Sequence, residues 1–534
     1  MRTLSLVSPM ATAVVAAALF LAPAPASAQG AASRPQASLP RTADGKPDFG
    51  GIWQVRNAAA ADLQDHVARL GMPAGRAVVA GNEIPYQPWA AAKKAENFQN
   101  RGSADPFAKC YMPGVPRIMY LDFPFQIFQT PDMVAMTFEW SHVHRLIYTN
   151  GSSHPDGLDF WMGDSRGLWE GDTLVVNVAN HNDKTWFDMA GNFHSEAMRV
   201  IERYRLVDAD TIQYDATIED SKVFTKPWTI SMPLHRHKNM PRLLEYACQA
   251  EVEEANGAFP REPRTWYPGT ADAPPAAAAV PGTRRSTTAP AAAVAKAIRR
   301  TRDGKPDLQG AYMPDGGGAN YGLETHAGNA LTPGGRGVII DPPDGKLPMQ
   351  TWAIAELESR ARPERGYDDP TAHCFVAGVP RSMYVPSPFH IVQTTGYIVF
   401  LFERMSWRIV PLDGRAHLPD AMRLWQGDSV GRWEGDTLVV DTANLNGKSW
   451  LNEVGEIVSH AERVVERFTP VDQETINYEA TVTDPVVYSR PWTIAFPMKR
   501  QSGELLEVAC HEDDQDLAHL KTIKDAAAQP SLKK

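Results

Sequence analysis

The sequence predicts an all-β protein built as two tandem antiparallel β-barrels, each with a short N-terminal helix. The first observation behind this prediction is a repeat. Residues 161–176 return, nearly unchanged, as residues 425–440, 264 positions later, and such self-similarity marks duplicated units. The second observation is alternation. Residues 211–218 and 475–482 switch between polar and apolar side chains from one position to the next, as half-buried antiparallel strands do.

Short strand-like segments fill both copies of the repeat. In copy one they cover residues 125–130, 134–139, 145–148, 174–178, 199–206, 211–218, 228–232 and 243–248. Clear helical patterning is confined to residues 88–97 in copy one and 350–361 in copy two. Many short strands with regular turns and little helix are typical of a sandwich or a barrel, and closure into a barrel removes exposed strand edges.

The chain divides into five segments by composition. Residues 1–28 read as a signal peptide, with Arg2, a short apolar run and the small-residue cleavage site Ala26-Ser27-Ala28. Copy one spans residues 40–266, a Pro- and Ala-rich linker spans 267–298, copy two spans 299–520, and a disordered tail is expected over 521–534. We therefore expect a bacterial protein that is periplasmic or secreted, with no membrane span after signal cleavage.

Charge and motif content restrict the partners. The formal net charge is −10 and the sequence pI is about 5.9, and the chain carries no basic stripe of the kind that binds nucleic acid. It also lacks a glycine-rich phosphate loop and a dinucleotide fingerprint. These observations argue against nucleic acid as a partner and against phosphoryl transfer or nicotinamide chemistry. No organic cofactor is predicted.

Four cysteines fit an exported protein. The repeat pairs Cys110 with Cys248 and Cys374 with Cys510, and an oxidising compartment favours one disulfide in each copy. In the chain-entropy model, loops of this length contribute about 4–5 kcal/mol each. The alternative is four buried free thiols.

Two resemblances to known families are visible. Gly51-Ile-Trp53, at the start of the copy-one strands, resembles the opening of a calycin, or lipocalin-like, barrel. The repeated strings at 114–117 and 378–381, at 163–176 and 427–440, and at 202–204 and 466–468 resemble a family of exported bacterial proteins of uncharacterised function. The second resemblance covers most of both copies, and it implies no activity.

Both copies contain a Gly-x-Ser-x-Gly string, around Ser165 and Ser429. In hydrolases that use this motif, the serine sits on a sharp turn between a strand and a helix. Here a strand-like segment follows instead, so the string is interpreted as a turn in which Asp164 and Asp428 accept local backbone hydrogen bonds.

The histidines differ between the copies. His142 and His144 would share one face if both lay on a strand, and neutral imidazoles on one face could bind zinc or copper in copy one. Copy two has Ser406 and Trp407 near these positions. It has Val458 where copy one has His194. Of His142, His144, His154 and His194, only His154 has a histidine at the equivalent position of copy two, His417. The alternative interpretation is hydrogen-bonded barrel histidines without a metal.

The predicted function is the binding of a small, partly apolar or aromatic molecule at a barrel mouth. The residues expected to line it are Trp161, Trp186, Asp164, Glu202, His417, Arg408, Trp425 and Trp450. One alternative is a cofactor-independent lyase, isomerase or hydrolase in copy one, with His154 and His194 as general acid and base and Arg145 as the anion-stabilising group. A third possibility is a structural or interaction module. The oligomeric state is left open.

Overall fold

A computed structural model describes residues 39–256, 298–328, 333–514 and 516–528. The predicted signal peptide and residues 267–297 of the predicted linker lie outside these ranges. Copy one contains β1 (Gly51–Gln54), α1 (Pro88–Ala104), β2 (Phe125–Thr130), β3 (Met133–Phe138), β4 (His144–Tyr148), β5 (Asp164–Glu170), β6 (Thr173–Ala179), β7 (Arg199–Asp208), β8 (Thr211–Glu219), β9 (Trp228–Arg236) and α2 (Cys248–Ala255).

The nine strands of copy one form a closed barrel in sequence order. Neighbouring strands are antiparallel, and β1 closes the barrel against β9 through the pair Trp53–Arg236. The exception is the seam between β4 and β5, which is parallel and holds only two residue pairs, Ile147–Ser165 and Tyr148–Arg166. Only the β1–β9 ladder of this barrel is as short, with two residue pairs of its own.

Copy two repeats the design with one additional strand. It contains β10 (Gly310–Pro314), β11 (Ile339–Asp341), α3 (Thr351–Arg360), β12 (Phe389–Gln393), β13 (Tyr397–Phe402), β14 (Ser406–Pro411), β15 (Asp428–Glu434), β16 (Thr437–Ala443), β17 (Arg463–Pro470), β18 (Thr475–Thr483), β19 (Trp492–Arg500), α4 (Cys510–Asp513) and α5 (Asp516–Ala528). The sheet runs from β14 through β13, β12, β10 and β19 to β15, with β11 beside β19. The predicted class, two tandem all-β barrels, is confirmed.

Alternation along the strands builds each core. In β8 every second residue is buried, so Ile212, Tyr214, Ala216 and Ile218 point into the barrel. The helices predicted at 88–97 and 350–361 are present as α1 and α3. None of the helices in the described part of the chain is both long enough and apolar enough to cross a membrane.

Two segments differ from the sequence prediction. Residues 243–248 are not a barrel strand, because only Tyr246 forms a bridge, with Trp140, before α2 begins at Cys248. The tail expected to be disordered from 521 instead continues α5 as far as Ala528. Lys524 of this helix lies 2.6 Å from Asp368. This ion pair with the rest of copy two helps to hold α5 in place, although the composition of the segment alone does not predict an ordered helix.

The two barrels pack through the outer faces of equivalent strands. Phe128, Met133 and Tyr148 of copy one form one buried cluster with Val399 and Trp407 of copy two. The described residues from 39 onwards accordingly belong to one compact unit. This packing explains why the outer faces of β2–β4 and of β12–β14 are apolar, since each face covers the other.

A matching pair of hydrogen bonds crosses this interface. Nε2 of His144 donates to the Phe402 carbonyl oxygen at 2.9 Å, and Nε1 of Trp407 donates to the Phe138 carbonyl oxygen at 2.9 Å. His144 and Trp407 occupy equivalent positions in β4 and β14. The two copies are therefore related by an approximate two-fold exchange of contacts.

Both predicted disulfides are present. Cys110 is bonded to Cys248, and Cys374 is bonded to Cys510. In each copy the bond ties the start of the first helix after the last barrel strand, α2 or α4, to the turn that follows the N-terminal helices. It therefore anchors the C-terminal segment of each copy to its own barrel.

Candidate functional site

The C-terminal segment of each copy lies across the other copy. We name these segments strap one (residues 240–247) and strap two (residues 502–509). The Glu245 carboxylate of strap one accepts the backbone N–H groups of Trp425 and Gln426 at 2.6 and 2.9 Å. The equivalent Glu507 of strap two accepts those of Trp161 and Met162 at 2.7 and 3.0 Å.

Strap one also contacts its own barrel. Leu244 N donates to the Glu139 side chain at 3.2 Å, and Tyr246 N donates to the Glu139 carbonyl oxygen at 3.2 Å. Successive side chains of an extended segment point to opposite sides. Glu245 can therefore reach copy two while the backbone on either side of it stays bound to copy one.

A cavity of about 110 Å³ lies between the copies, and we call it the inter-copy cavity. Both disulfides contribute to its wall. Apolar groups from both copies complete much of the lining; they include Val143, Ala247 and Ala250 of copy one and Val376, Phe402 and Met405 of copy two. A largely apolar wall shared by two packed units is a common setting for small-molecule binding.

Three polar side-chain atoms on this wall are buried without a hydrogen-bond partner among the described residues. They are Oγ of Ser141, Nε2 of His142 and Oγ of Ser382. His142 is 2% exposed and Ser382 is 6% exposed. A buried polar group without a partner costs about 1–3 kcal/mol. A ligand or ordered water that hydrogen-bonds to these atoms would remove that cost.

Titratable groups surround the same cavity. Burial lowers the pKa of His511 to about 4, so this imidazole is neutral at pH 7. Burial also raises the pKa of Glu453, which accepts a hydrogen bond from Asn320 at 2.8 Å. Arg381 is paired with Asp369 at 2.9 Å. The wall therefore includes the neutral imidazole of His511 and the ion-paired Arg381, together with the charged residues Arg404 and Glu512.

The predicted residues Arg145, Glu202 and Arg408 lie inside the barrels, not at a barrel mouth. Nη1 of Arg145 donates to Glu202 at 3.0 Å, and Glu202 is fully buried. In copy two, Arg408 and Glu466 repeat the pair, with Nη1 to Oε1 at 2.9 Å. Both arginines thus bind a carboxylate of their own barrel.

Ser165 and Ser429 of the repeated Gly-x-Ser-x-Gly string belong to these buried networks. Ser165 Oγ accepts from Nε of Arg145 at 3.0 Å, and Ser429 Oγ accepts from Nε of Arg408 at 2.8 Å. The string itself lies at the start of strands β5 and β15, and is not the turn that the sequence suggested. The reason is that residues 164–170 pair along their whole length with β6.

The glycine that opens this string is required by close packing. Gly163 has φ +68°, and a Cβ at this position would lie 2.5 Å from the His181 ring. Gly427 has the same φ, and its Cβ would lie 2.7 Å from the Ala443 carbonyl oxygen. The repeated Gly-x-Ser-x-Gly string is therefore a structural element of the barrel in both copies.

His154 and His417 occupy equivalent positions with different surroundings. Nδ1 of His154 lies 2.5 Å from Asp164, and no described residue provides a partner for its Nε2. Nδ1 of His417 lies 3.0 Å from Asp428, and its Nε2 lies 3.8 Å from Asp441. The hydrogen-bonded Asp428 carboxylate, followed by the nearby Asp441 carboxylate, raises the pKa of His417 to about 9.

A buried histidine that sequence reasoning missed lies among the candidate residues of copy one. His181 is fully buried, and among the described residues neither of its ring nitrogens has a hydrogen-bond partner. Burial, followed by the nearby His194, Arg145 and His154, lowers its pKa well below 6.5. The signal that points to it is the copy difference, because Leu445 stands at the equivalent position.

His194 packs beside His181, with ring centroids 5.8 Å apart. Its Nε2 lies 2.7 Å from Thr185 Oγ1, and its Nδ1 lies 2.9 Å from the Ser195 carbonyl oxygen. Burial lowers its pKa. The three copy-one residues to which catalytic roles were assigned, His154, His194 and Arg145, thus all lie near His181. Those roles stay predictions.

The structure does not place His142 and His144 on one strand face. His142 has φ +55° and lies in the turn before β4, so the two side chains do not follow strand alternation. Within the described ranges, the single group of three metal-ligand residue types is Cys374, Cys510 and Asp514, and its cysteines are held in a disulfide.

The predicted tryptophans pack at separate places. Trp161 and Trp425 supply the N–H groups that hold the straps, and their rings contact Tyr111 and Phe375, respectively. Trp186 pairs with Phe193 in an isolated bridge. The ring of Trp450 lies under the Arg360 guanidinium. They do not line one shared pocket.

Comparison with known proteins adds no assignment to this site. No protein-family model matches the chain, and no curated protein matches it.

Proposed function

We propose that this is an exported protein that binds a small, partly apolar organic molecule in the inter-copy cavity. The observation that carries the proposal is the convergence of Ser141, His142 and Ser382 on one cavity, each with a polar atom that is buried and lacks a hydrogen-bond partner among the described residues. The two disulfides support export, since such bonds persist in oxidising compartments.

The lining favours an uncharged ligand. Arg381 is neutralised by Asp369, and His511 is neutral at pH 7 because burial lowers its pKa to about 4. The hydroxyls and imidazole can donate to or accept from a hydroxyl, amide or carbonyl group. A cavity of about 110 Å³ is close in scale to the cavities of about 150 Å³ that bind benzene. The ligand class is therefore a molecule of about one ring with one or two polar groups.

The test uses phenol and indole as probes, with isothermal titration calorimetry on the full chain. The key variant is Ser382→Ile, because copy one carries Ile118 at the equivalent buried position, so isoleucine is compatible with the fold. We expect at least one probe to bind the wild-type protein with one site per chain and the variant to lose that binding. Ile118→Val, outside the cavity lining, is the matched control and should bind normally.

Two results would contradict the proposal. One is that neither probe binds the wild-type protein. The other is that Ser382→Ile binds as well as the wild type does. A second variant, His142→Met, gives copy one the residue that copy two carries at position 405. It should weaken a probe that hydrogen-bonds to the imidazole without removing apolar contact.

A further inference from the structure

The two straps carry opposite charges at equivalent positions. Arg242 stands three residues before Glu245, and Glu504 stands three residues before Glu507. Because Glu245 and Glu507 dock on the same pair of backbone N–H groups of opposite copies, positions 242 and 504 face equivalent places. One of these side chains is a cation and the other is an anion.

The surface that receives strap one is acidic. Asp428, at the start of β15, forms an ion pair with Arg242, and the two side chains are only 6% and 15% exposed. Arg242 donates a further hydrogen bond to the Ala416 carbonyl oxygen at 2.9 Å. Two residues after Asp428, the side chain is the uncharged Val430.

The surface that receives strap two is basic at the same place. Arg166 replaces the valine and binds Asp164 through Nε and Nη2 at 2.7 and 2.8 Å. The guanidinium then donates to Glu504 at 2.7 and 2.6 Å. Arg166 therefore converts the acidic site of the repeat into one that accepts a carboxylate.

Pairing between two identical copies would bring like charges together. In a pair made of two copies one, Arg242 would face Arg166. In a pair made of two copies two, Glu504 would face Asp428; the cation bound to that carboxylate is His417, and Val430 supplies no guanidinium to accept Glu504. Like charges placed opposite each other in a partly buried interface cost several kcal/mol in general, and specific interfaces often depend on such repulsion.

We propose that four charged residues make each copy pair with the other copy and disfavour pairing with an identical copy. They are Arg242, Glu504, Arg166 and Asp428. The partner that each barrel face fits is thus the non-identical repeat of this chain. The selection also builds the inter-copy cavity, because His142 comes from copy one and Ser382 from copy two. The inference does not depend on that cavity binding a ligand.

The decisive variant reverses both strap charges in the full chain, Arg242→Glu with Glu504→Arg. Glu at 242 would now match Arg166, and Arg at 504 would match Asp428, so identical copies of two chains should pair. We expect size-exclusion chromatography with light scattering to show a mass twice that of the wild-type protein. The neutral control, Arg242→Met with Glu504→Gln, removes the attraction without adding the repulsion and should keep the wild-type mass.

A rescue keeps the test decisive if the double reversal does not fold. Arg242→Glu alone should raise the fraction of double-mass species. Adding Val430→Arg gives copy two an arginine between Asp428 and the new glutamate at position 242, as Arg166 lies between Asp164 and Glu504. This addition should restore the wild-type mass. The proposal is overturned if the double reversal keeps the wild-type mass while folded, or if Val430→Arg fails to reduce the double-mass fraction of Arg242→Glu.

Discussion

Glu245 and Glu507 make the same contact in opposite directions: each carboxylate leaves its own copy and accepts two consecutive backbone N–H groups of the other. The surroundings of the two carboxylates differ, however. Nε2 of His142 lies 3.8 Å from Glu245, whereas Met405 takes the place of that histidine in copy two. The interface is therefore symmetric in its hydrogen bonds and asymmetric in its charges.

Glu507 is expected to make stability depend on pH near neutrality. Burial raises its pKa to about 7 in the folded protein, from about 4.5. Its contribution to the free energy of unfolding is thus fully present below about pH 4.5 and is lost as the pH rises through 7, by up to about 3 kcal/mol. Urea unfolding at pH 5 and pH 8 measures it. Glu507→Gln should flatten this pH dependence, and an unchanged slope in that variant would argue against the assignment.

His417 is expected to titrate well above ordinary histidines. Its hydrogen bond to Asp428 and the nearby Asp441 carboxylate raise its pKa to about 9, so the stability it contributes is complete below about pH 6.5 and is lost as the pH rises through 9. NMR titration of the ring measures the pKa directly. Asp441→Asn, which supplies the residue found at 177, should lower it by one unit or more. Asp436→Asn, at an exposed ion pair with Arg300, is the control and should leave it unchanged.

The Arg145–Glu202 pair inside barrel one is expected to tolerate joint replacement better than the loss of one partner. Arg145→Met leaves Glu202 fully buried without its cation, and we expect a loss of about 3–5 kcal/mol in the free energy of unfolding. Arg145→Met with Glu202→Leu should recover part of this loss. Denaturant titration followed by tryptophan fluorescence makes the comparison. The exposed pair Arg203–Glu170 offers the control, since Arg203→Met should cost about 1 kcal/mol or less.

The disulfides are expected to contribute equally in the two copies. The bonded cysteines are separated by 138 and 136 residues, so the chain-entropy model gives both the same stabilisation, and removal of a native disulfide costs about 2–5 kcal/mol. Cys110→Ala with Cys248→Ala should lower the melting temperature about as much as Cys374→Ala with Cys510→Ala. A difference of more than twofold between the two losses would show that strain or unfolded-state structure dominates.

Much of the fold could be predicted from sequence because half-buried strands have a recognisable local pattern of polar and apolar residues. The period-two alternation of β8 and the duplication of residues 161–176 are visible without any structure. The disulfide pairing followed from the repeat alone. Arg145 and Arg408 were also predicted as site residues, but their position inside the barrels was not predicted, since nothing local shows that a distant glutamate will neutralise an arginine.

The straps could not be predicted, for a physical reason. Residues 243–248 form a short, mostly apolar run, and a strand of their own barrel is the simplest partner for such a segment. In the structure, Tyr246 stays with its own copy while Glu245 reaches the other. The choice between these partners is made by tertiary contacts, and the charge reversal between Arg242 and Glu504 becomes meaningful only when both docking surfaces are known.

The exchanged straps also change what the duplication means for unfolding. Opening barrel one withdraws strap one from Trp425 and Gln426, and so exposes part of barrel two, and the converse holds for strap two. Neither repeat can lose its structure without weakening the cover of its neighbour. Two domains that look independent in sequence are thereby joined into one cooperative unit, in which a change that destabilises one repeat also destabilises the other.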